Sequence, residues 1–285
     1  MQGFINVIKP TGVSSGYVVN KIKHLTKEKV GHLGTLDPLA SGVLPIAIGK
    51  ATRFFDYFLD KEKKYFALAK FGIETDTLDS EGKIINTGIN EVSLEKIKKV
   101  CAEMTGDCLQ MPPMYSAKTV GGIRAYEAAI KNINIELKPK KVQIYSINVE
   151  KWHKNDIFAI NLHCSSGTYV RSVIRDIAKK LNTVATTVAI IRTKSGVFEL
   201  NDAVSLEELE SDVVGHIKNI SSVLKMESII LTNDEAKDLY SGKEICKLLN
   251  NGMYLSFYEN KEFSVVEVID NKVRNKIYLY EGDIK

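Results

Sequence analysis

Hydrophobic and polar positions change rhythm several times along the first hundred residues. GFINVIKP reads as a strand, and SGYVVNKIKHLTK then places Val18, Val19, Ile22 and Leu25 on one helical face, with Ser15 available as a cap. A loop at 31–42 precedes the apolar run VLPIAIG, and a short helix is expected around ATRFFDYF. KKYFALAKFG alternates with period two, so Tyr65, Ala67, Ala69 and Phe71 share one face of a strand. SLEKIKKVCAEMTG returns to helical spacing and is stopped by Gly106.

Farther on, KKVQIYSINVEKWH and DIFAINLHCSS read as a hairpin of long strands. TYVRSVIRDIAKKLN is a third helix, with Val170, Val173, Ile174, Ile177 and Leu181 inward and Arg171 and Arg175 one turn apart on the other side. Hairpins and helices in irregular order predict an α+β fold rather than a doubly wound parallel sheet. Composition shifts near NISSVLKMES. One short helix and several β-rich segments separated by Gly, Asn and Asp follow, the pattern of a small β-barrel.

With 285 residues, 44% of them hydrophobic, the chain suits one large domain and a small appendage. No basic segment followed by an apolar one opens it and no apolar run is long enough to span a bilayer, so a cytoplasmic protein without membrane association is expected. Cys101, Cys108, Cys164 and Cys246 lack paired spacing, and the five histidines form no ligand pair, so neither disulfide nor metal is expected. Of 39 basic and 35 acidic residues, nine and eleven lie in 225–285, which leaves the cationic excess in the larger part. Residues 117–141 carry six basic side chains against Glu127 and Glu136. They suit a mobile arm hinged at Gly121 and Gly122 and returning through Lys138, Lys140 and Lys141, which would grip a phosphate backbone.

Phosphate-binding glycine loops and the serine elbow have no match here, which removes the fingerprints of nucleotide cofactors, NTP chemistry and serine hydrolysis. No cofactor is expected. A carboxylate in an unusual setting remains: GHLGTLDPLASGVLP holds Asp37 directly before Pro38, which pushes residue 37 towards extended backbone. Gly31, Gly34 and Gly42 let backbone or substrate come close. Asp before Pro is commonly just a surface turn. A carboxylate fixed in this way can also act as a nucleophile, and an arginine beside it would favour its charged form.

Five blocks then resemble one family in order. GHLGTLDPLASGVLPIAIGKAT is similar to the catalytic-aspartate motif of the pseudouridine synthases, in the version of the tRNA pseudouridine synthase B family. INVIKPTGVSS resembles its Lys-Pro motif, KKYFALAKFGIETDTLDSEG its tyrosine motif, MPPMYSAKTVGGIRAYEAA the segment leading into its thumb loop, and CSSGTYVRSVIRDIA its arginine motif. The resemblance spans about residues 3–198.

It implies the pseudouridine synthase fold: a mixed, mainly antiparallel sheet flanked by helices, a thumb-like insertion at about 117–141, a catalytic domain at 1–224 and a PUA-like RNA-binding barrel at 225–285. It implies that uridine-55 in the tRNA T-loop is flipped out and isomerised. Asp37 is then the nucleophile, Arg171 its ion-pair partner and Tyr65 the aromatic that stacks on the base. His32 would hold the flipped T-loop. Asp79, Tyr169 and Ile190 would line the pocket, with Lys9 and Pro10 as support beneath the tyrosine. The implied partner is the T-stem-loop of tRNA, met by a monomer without an obligate protein partner. The family's Leu-Arg-Arg is here Ile190-Ile191-Arg192, one charge fewer, and the C-terminal part is slightly acidic. On the residues alone, a guide-RNA-dependent pseudouridylase, a non-catalytic tRNA-binding or folding protein, and a glycoside hydrolase pairing Asp37 with Asp79 remain alternatives.

Overall fold

The structure, a computed structural model, describes the chain apart from residues 60, 117, 132, 134, 153–155, 283 and 285. Its centre is a nine-stranded sheet. Strands run in the order Gly3–Lys9, Ser41–Ile48, Ala185–Ser195, Lys63–Phe71, Ile157–Cys164, Lys140–Lys151, Gly106–Gln110; Val30–His32 pairs with the second and Phe198–Glu199 with the third. Neighbours are antiparallel with one exception. Ser41–Ile48 meets Ala185–Ser195 in parallel through only two residue pairs, Ile191 with Ser41 and Arg192 with Gly42. The fold is α+β with a mixed, mainly antiparallel sheet.

Helices Ser15–Thr26, Leu94–Glu103 and Val170–Lys180 bury Val18, Ile22, Ile97, Val173, Ile174 and Ile177 against one sheet face, where Ala67, Ala69 and Phe71 meet them. The period-two reading of that strand follows from this one-sided burial. Ser41–Ile48 behaves differently: Leu44, Ile46 and Ile48 join that core, whereas Val43 and Ala47 pack beneath the sheet with Phe4, Phe54, Phe58 and Phe198. Covered on both faces, it reads as a continuous apolar run. The first helix is capped by Ser14, whose Oγ accepts from Tyr17 N at 3.1 Å, and not by Ser15.

The C-terminal part is a five-stranded half-barrel, ordered Glu227–Ile230, Gly252–Tyr258, Lys261–Ile269, Lys272–Tyr278, Ile245–Cys246, with helix Asn233–Tyr240 beside it. It is docked, not tethered: Leu255, Val265 and Leu279 complete the apolar cluster of Phe4, Phe54 and Phe58. Lys50 Nζ also donates to Tyr280 O at 2.6 Å. Among the described residues no helix is long and apolar enough to cross a membrane.

Candidate active site

The Asp37 loop joins Val30–His32 to Ser41–Ile48 and ends where the latter meets Ala185–Ser195, at Ser41 and Gly42. It is clamped from three directions. Ser15, just inside the first helix, donates to Leu36 O and accepts from Leu36 N, both at 2.9 Å. Lys9 is fully buried, and its Nζ donates to Pro10 O and Val13 O at 2.7 Å and to Pro38 O at 3.2 Å. Burial pushes this ammonium down to about 8, against the pull of Asp37. From below, Arg192 donates to Gly34 O at 3.0 Å, Thr35 O at 3.2 Å and Val43 O at 2.7 Å. Gly42, at φ +97°, lies against the backbone of Arg192, and a Cβ there would strike its carbonyl. The close approach that this glycine permits is of backbone to backbone, not of substrate.

Held in this way, Asp37 faces Arg171. Arg171 Nη2 donates to Asp37 Oδ2 at 2.6 Å and to Tyr115 O at 2.8 Å; Nη1 donates to Thr77 O at 2.8 Å and Asp79 Oδ2 at 3.1 Å. The outward position expected for Arg171 does not hold, since it is only 4% exposed. The opening turn of its helix is enclosed on nearly all sides, with Val170, Ser172 and Val173 buried as well. A guanidinium can be buried there because two carboxylates and two carbonyls meet its donors. The helix start is fixed from outside: Tyr169 has no capping side chain, but Gln110 accepts from Tyr169 N at 2.8 Å and donates to Tyr169 O at 3.2 Å.

Asp79 stands behind this arginine, outside the lining of the pocket. Its Oδ1 accepts from Thr77 Oγ1 at 2.6 Å and from Glu81 N at 3.2 Å, and Leu78, at φ +63°, turns the chain so that Thr77 O and Asp79 both reach Arg171. Lys9 likewise supports the Asp37 loop through Pro38 O, and the Pro10 carbonyl accepts from the same ammonium.

A cavity of about 550 Å³ opens in front of Asp37, lined by Tyr65, Tyr169, Ile190, Arg171 and Arg192 among others. Tyr65 is half-buried beside Arg192, and burial pushes its hydroxyl up. Tyr169 is shifted in the same direction for the same reason. His32 does not line the cavity. Its Nδ1 is buried without a hydrogen-bond partner, and burial together with Arg192 pushes the imidazole down. Lys118 and Lys140 reach the cavity rim, and Lys140 extends over Gly167. Lys141 Nζ instead pairs with Asp107 at 2.8 Å, and the Lys138 carbonyl accepts from Lys118 Nζ at 3.1 Å. Gly121 and Gly122, both at positive φ, make the turn of a small hairpin, Thr119–Val120 with Ile123–Arg124. Residue 117, where the arm was expected to begin, lies outside the described residues.

Ser15, Gln110, Lys63 and Arg192 belong to this site although sequence reasoning gave them no role in it. Only Lys63 carried a signal, being two residues before Tyr65 on a strand whose alternation the sequence shows, and so on the same face.

The site can present one carboxylate oxygen to a planar ring held between apolar and aromatic walls. The family model for TruB family pseudouridylate synthase (N terminal domain) matches residues 22–170. A tRNA pseudouridine synthase B from Francisella tularensis is 40% identical over the whole chain and 96% of its own length. One from Caldanaerobacter subterraneus is 37% identical over 95% of this chain and 92% of its own. The fold is also that of the "Structure of H/ACA RNP bound to a substrate RNA containing 2'-deoxyuridine", with TM-score 0.69 at 21% identity, covering 97% of this chain and 84% of that one. With the family model covering half its residues and such relatives matching it from end to end, the chain belongs to the TruB family of pseudouridylate synthases.

Proposed function

We propose that this chain converts uridine-55 in the T-loop of tRNA to pseudouridine, with Asp37 as the nucleophile. The observation that carries the mechanism is the Asp37–Arg171 pair at 2.6 Å in the wall of a cavity lined by Tyr65, Tyr169 and Ile190. Arg171 engages Oδ2; among the described residues nothing binds Oδ1, which is therefore the oxygen free to attack. The base must leave its stack to reach this oxygen, at a cost of a few kcal/mol that stacking on Tyr65 and backbone contacts offset. The glycosidic N1–C1′ bond then breaks, the uracil turns within the cavity and C5 bonds to C1′. N1 gains a proton and C5 loses one. Attack at the ribose C1′ or at C6 of the base would use the same oxygen. Asp79, Lys9, Pro10, Ser15 and Arg192 position the pair rather than touch the base, and His32 holds the flipped T-loop. Tyr169 and Ile190 form the walls.

Residues 1–224 act as the catalytic domain and 225–285 as a docked RNA-binding unit of the PUA type, while 117–141 lies over the bound RNA and offers Lys118 and Lys140 to its phosphates. The enzyme acts as a monomer in the cytoplasm. A guide-dependent enzyme shares the fold, but the relatives at 37–40% identity carry the name of the tRNA enzyme, which favours action on naked tRNA. The deciding experiment maps pseudouridine by carbodiimide labelling and primer extension on an unmodified tRNA transcript. A T-loop stop is expected with the wild type and not with Asp37→Ala, which should retain RNA binding. No stop with either would overturn the proposal.

A further inference from the structure

One buried cation in the cavity has no part in the chemistry above. Lys63 opens the Lys63–Phe71 strand two residues before Tyr65, so both side chains leave the same sheet face. It lines the cavity although only 6% of it is exposed. Its neighbours across the sheet are Cys164 and Ser195, neither of them acidic. Among the described residues no carboxylate or carbonyl accepts from its ammonium.

The other buried cations differ. Lys9 meets three carbonyls, Arg192 three more, and Arg171 two carboxylates and two carbonyls. An ammonium largely withdrawn from water without a partner is costly. Burial and the nearby Arg192 push Lys63 down to about 8, which still leaves it mostly charged at neutral pH.

Its surroundings indicate what would compensate that charge. Two residues beyond Cys164, the partner of Lys63 in register, Ser166, Gly167 and Thr168 form one wall of the cavity. Lys140 extends over Gly167 from the other side. Two ammonium groups, of Lys63 and Lys140, thus belong to the same lining as this segment. A uracil carbonyl is neutral and would leave the charge of Lys63 uncompensated, whereas an extruded nucleotide brings its phosphodiesters with it. Resting on the function proposed above, we infer that Lys63 is a positioning residue that binds a phosphodiester flanking the extruded uridine, so that binding the RNA backbone and seating the base are coupled.

The test uses the full-length protein and RNA stem-loops that carry a single neutral methylphosphonate on either side of the target uridine. Lys63→Met removes the charge at similar volume, and its folding is checked by circular dichroism. It should lower kcat/KM on the all-phosphate stem-loop roughly 30-fold, the loss expected for a hydrogen bond to a charged group. A methylphosphonate at one flanking position should slow the wild type by a similar factor and leave Lys63→Met almost unaffected. Wild-type kcat/KM should fall as pH rises through about 8, while that of Lys63→Met stays flat. Losses from mutation and methylphosphonate that multiply at both positions would overturn the inference. So would a wild-type rate that rises through pH 8 and loses that rise in the mutant, the mark of a general base. Wild type that makes no pseudouridine in the unmodified stem-loop would refute the underlying function instead.

Discussion

Two adjacent serines separate stability from catalysis. Ser14 caps the first helix, and Ser15 holds Leu36, the residue before Asp37, through both of its backbone groups. Ser15→Ala leaves Leu36 N–H and C=O without partners at a site where Ser15 is 3% and Leu36 5% exposed. At about 1–3 kcal/mol for each orphaned group, and with some relaxation of the loop, the expected loss is about 3 kcal/mol. For a chain of this length that lowers Tm by roughly 5 °C. The loop also shifts, and a displacement near 1 Å at a nucleophile is worth about 100-fold in rate. Ser14→Ala removes only the cap, about 1 kcal/mol, and should leave kcat intact. Urea unfolding and single-turnover rates on an unmodified tRNA transcript, measured for both variants, check this. A Ser15→Ala enzyme with wild-type kcat, or a Ser14→Ala enzyme slowed as much, would refute the argument that the clamp sets the position of Asp37.

Asp79→Asn should reduce kcat by about two orders of magnitude and cost about 3 kcal/mol in urea unfolding, because Arg171 loses the buried one of its two carboxylate partners; an unchanged rate would reduce Asp79 to a turn residue. The stability of Lys63→Met relative to wild type should depend on pH. The folded-state value of Lys63 lies near 8 and the unfolded one near 10.5, so burial of the ammonium destabilises the wild type fully below pH 8 and not at all above 10.5. The mutant should therefore be more stable by up to about 3 kcal/mol at pH 7, with the gap closing between pH 8 and 10.5; a gap constant with pH would show the group to be unshifted. Along the thumb-like segment, Lys140→Ala should flatten the salt dependence of tRNA binding by about one unit of slope, and Lys141→Ala by less than half of that, since Asp107 already engages Lys141. Equal effects would show that the Asp107 pair opens on binding.

Elements whose burial is one-sided were readable from the sequence. Val18 and Ile22, Ile97 and Val100, and Ala67 and Phe71 sit where their spacing places them. Asp37, Tyr65 and Arg171 were named through motif resemblance, not through periodicity. Polar residues that are buried because something distant satisfies them escaped notice. Arg171 looked solvent-facing because helical spacing counts apolar residues and does not register two carboxylates waiting across the fold. The central strand Ala185–Ser195 had no counterpart among the expected elements for the same reason. It buries Thr186, Thr187, Arg192 and Ser195, which break the apolar pattern. Lys9 reads as an ordinary strand-end lysine until the Pro38 carbonyl, 29 residues on, is brought to it.

The clamps around Asp37 also fix when in the life of the chain the site comes into being. Ser15 and Lys9 reach the loop across 21 and 29 residues, but Arg171 pairs with Asp37 across 134 and Arg192 reaches Gly34 across 158. Contacts of such separation close large loops and form late. A nascent chain that has emerged through its first 170 residues already contains Asp37 and its local clamps and lacks both arginines that complete the site. During synthesis the loop is built early and armed last, so tRNA met by an unfinished chain is not modified.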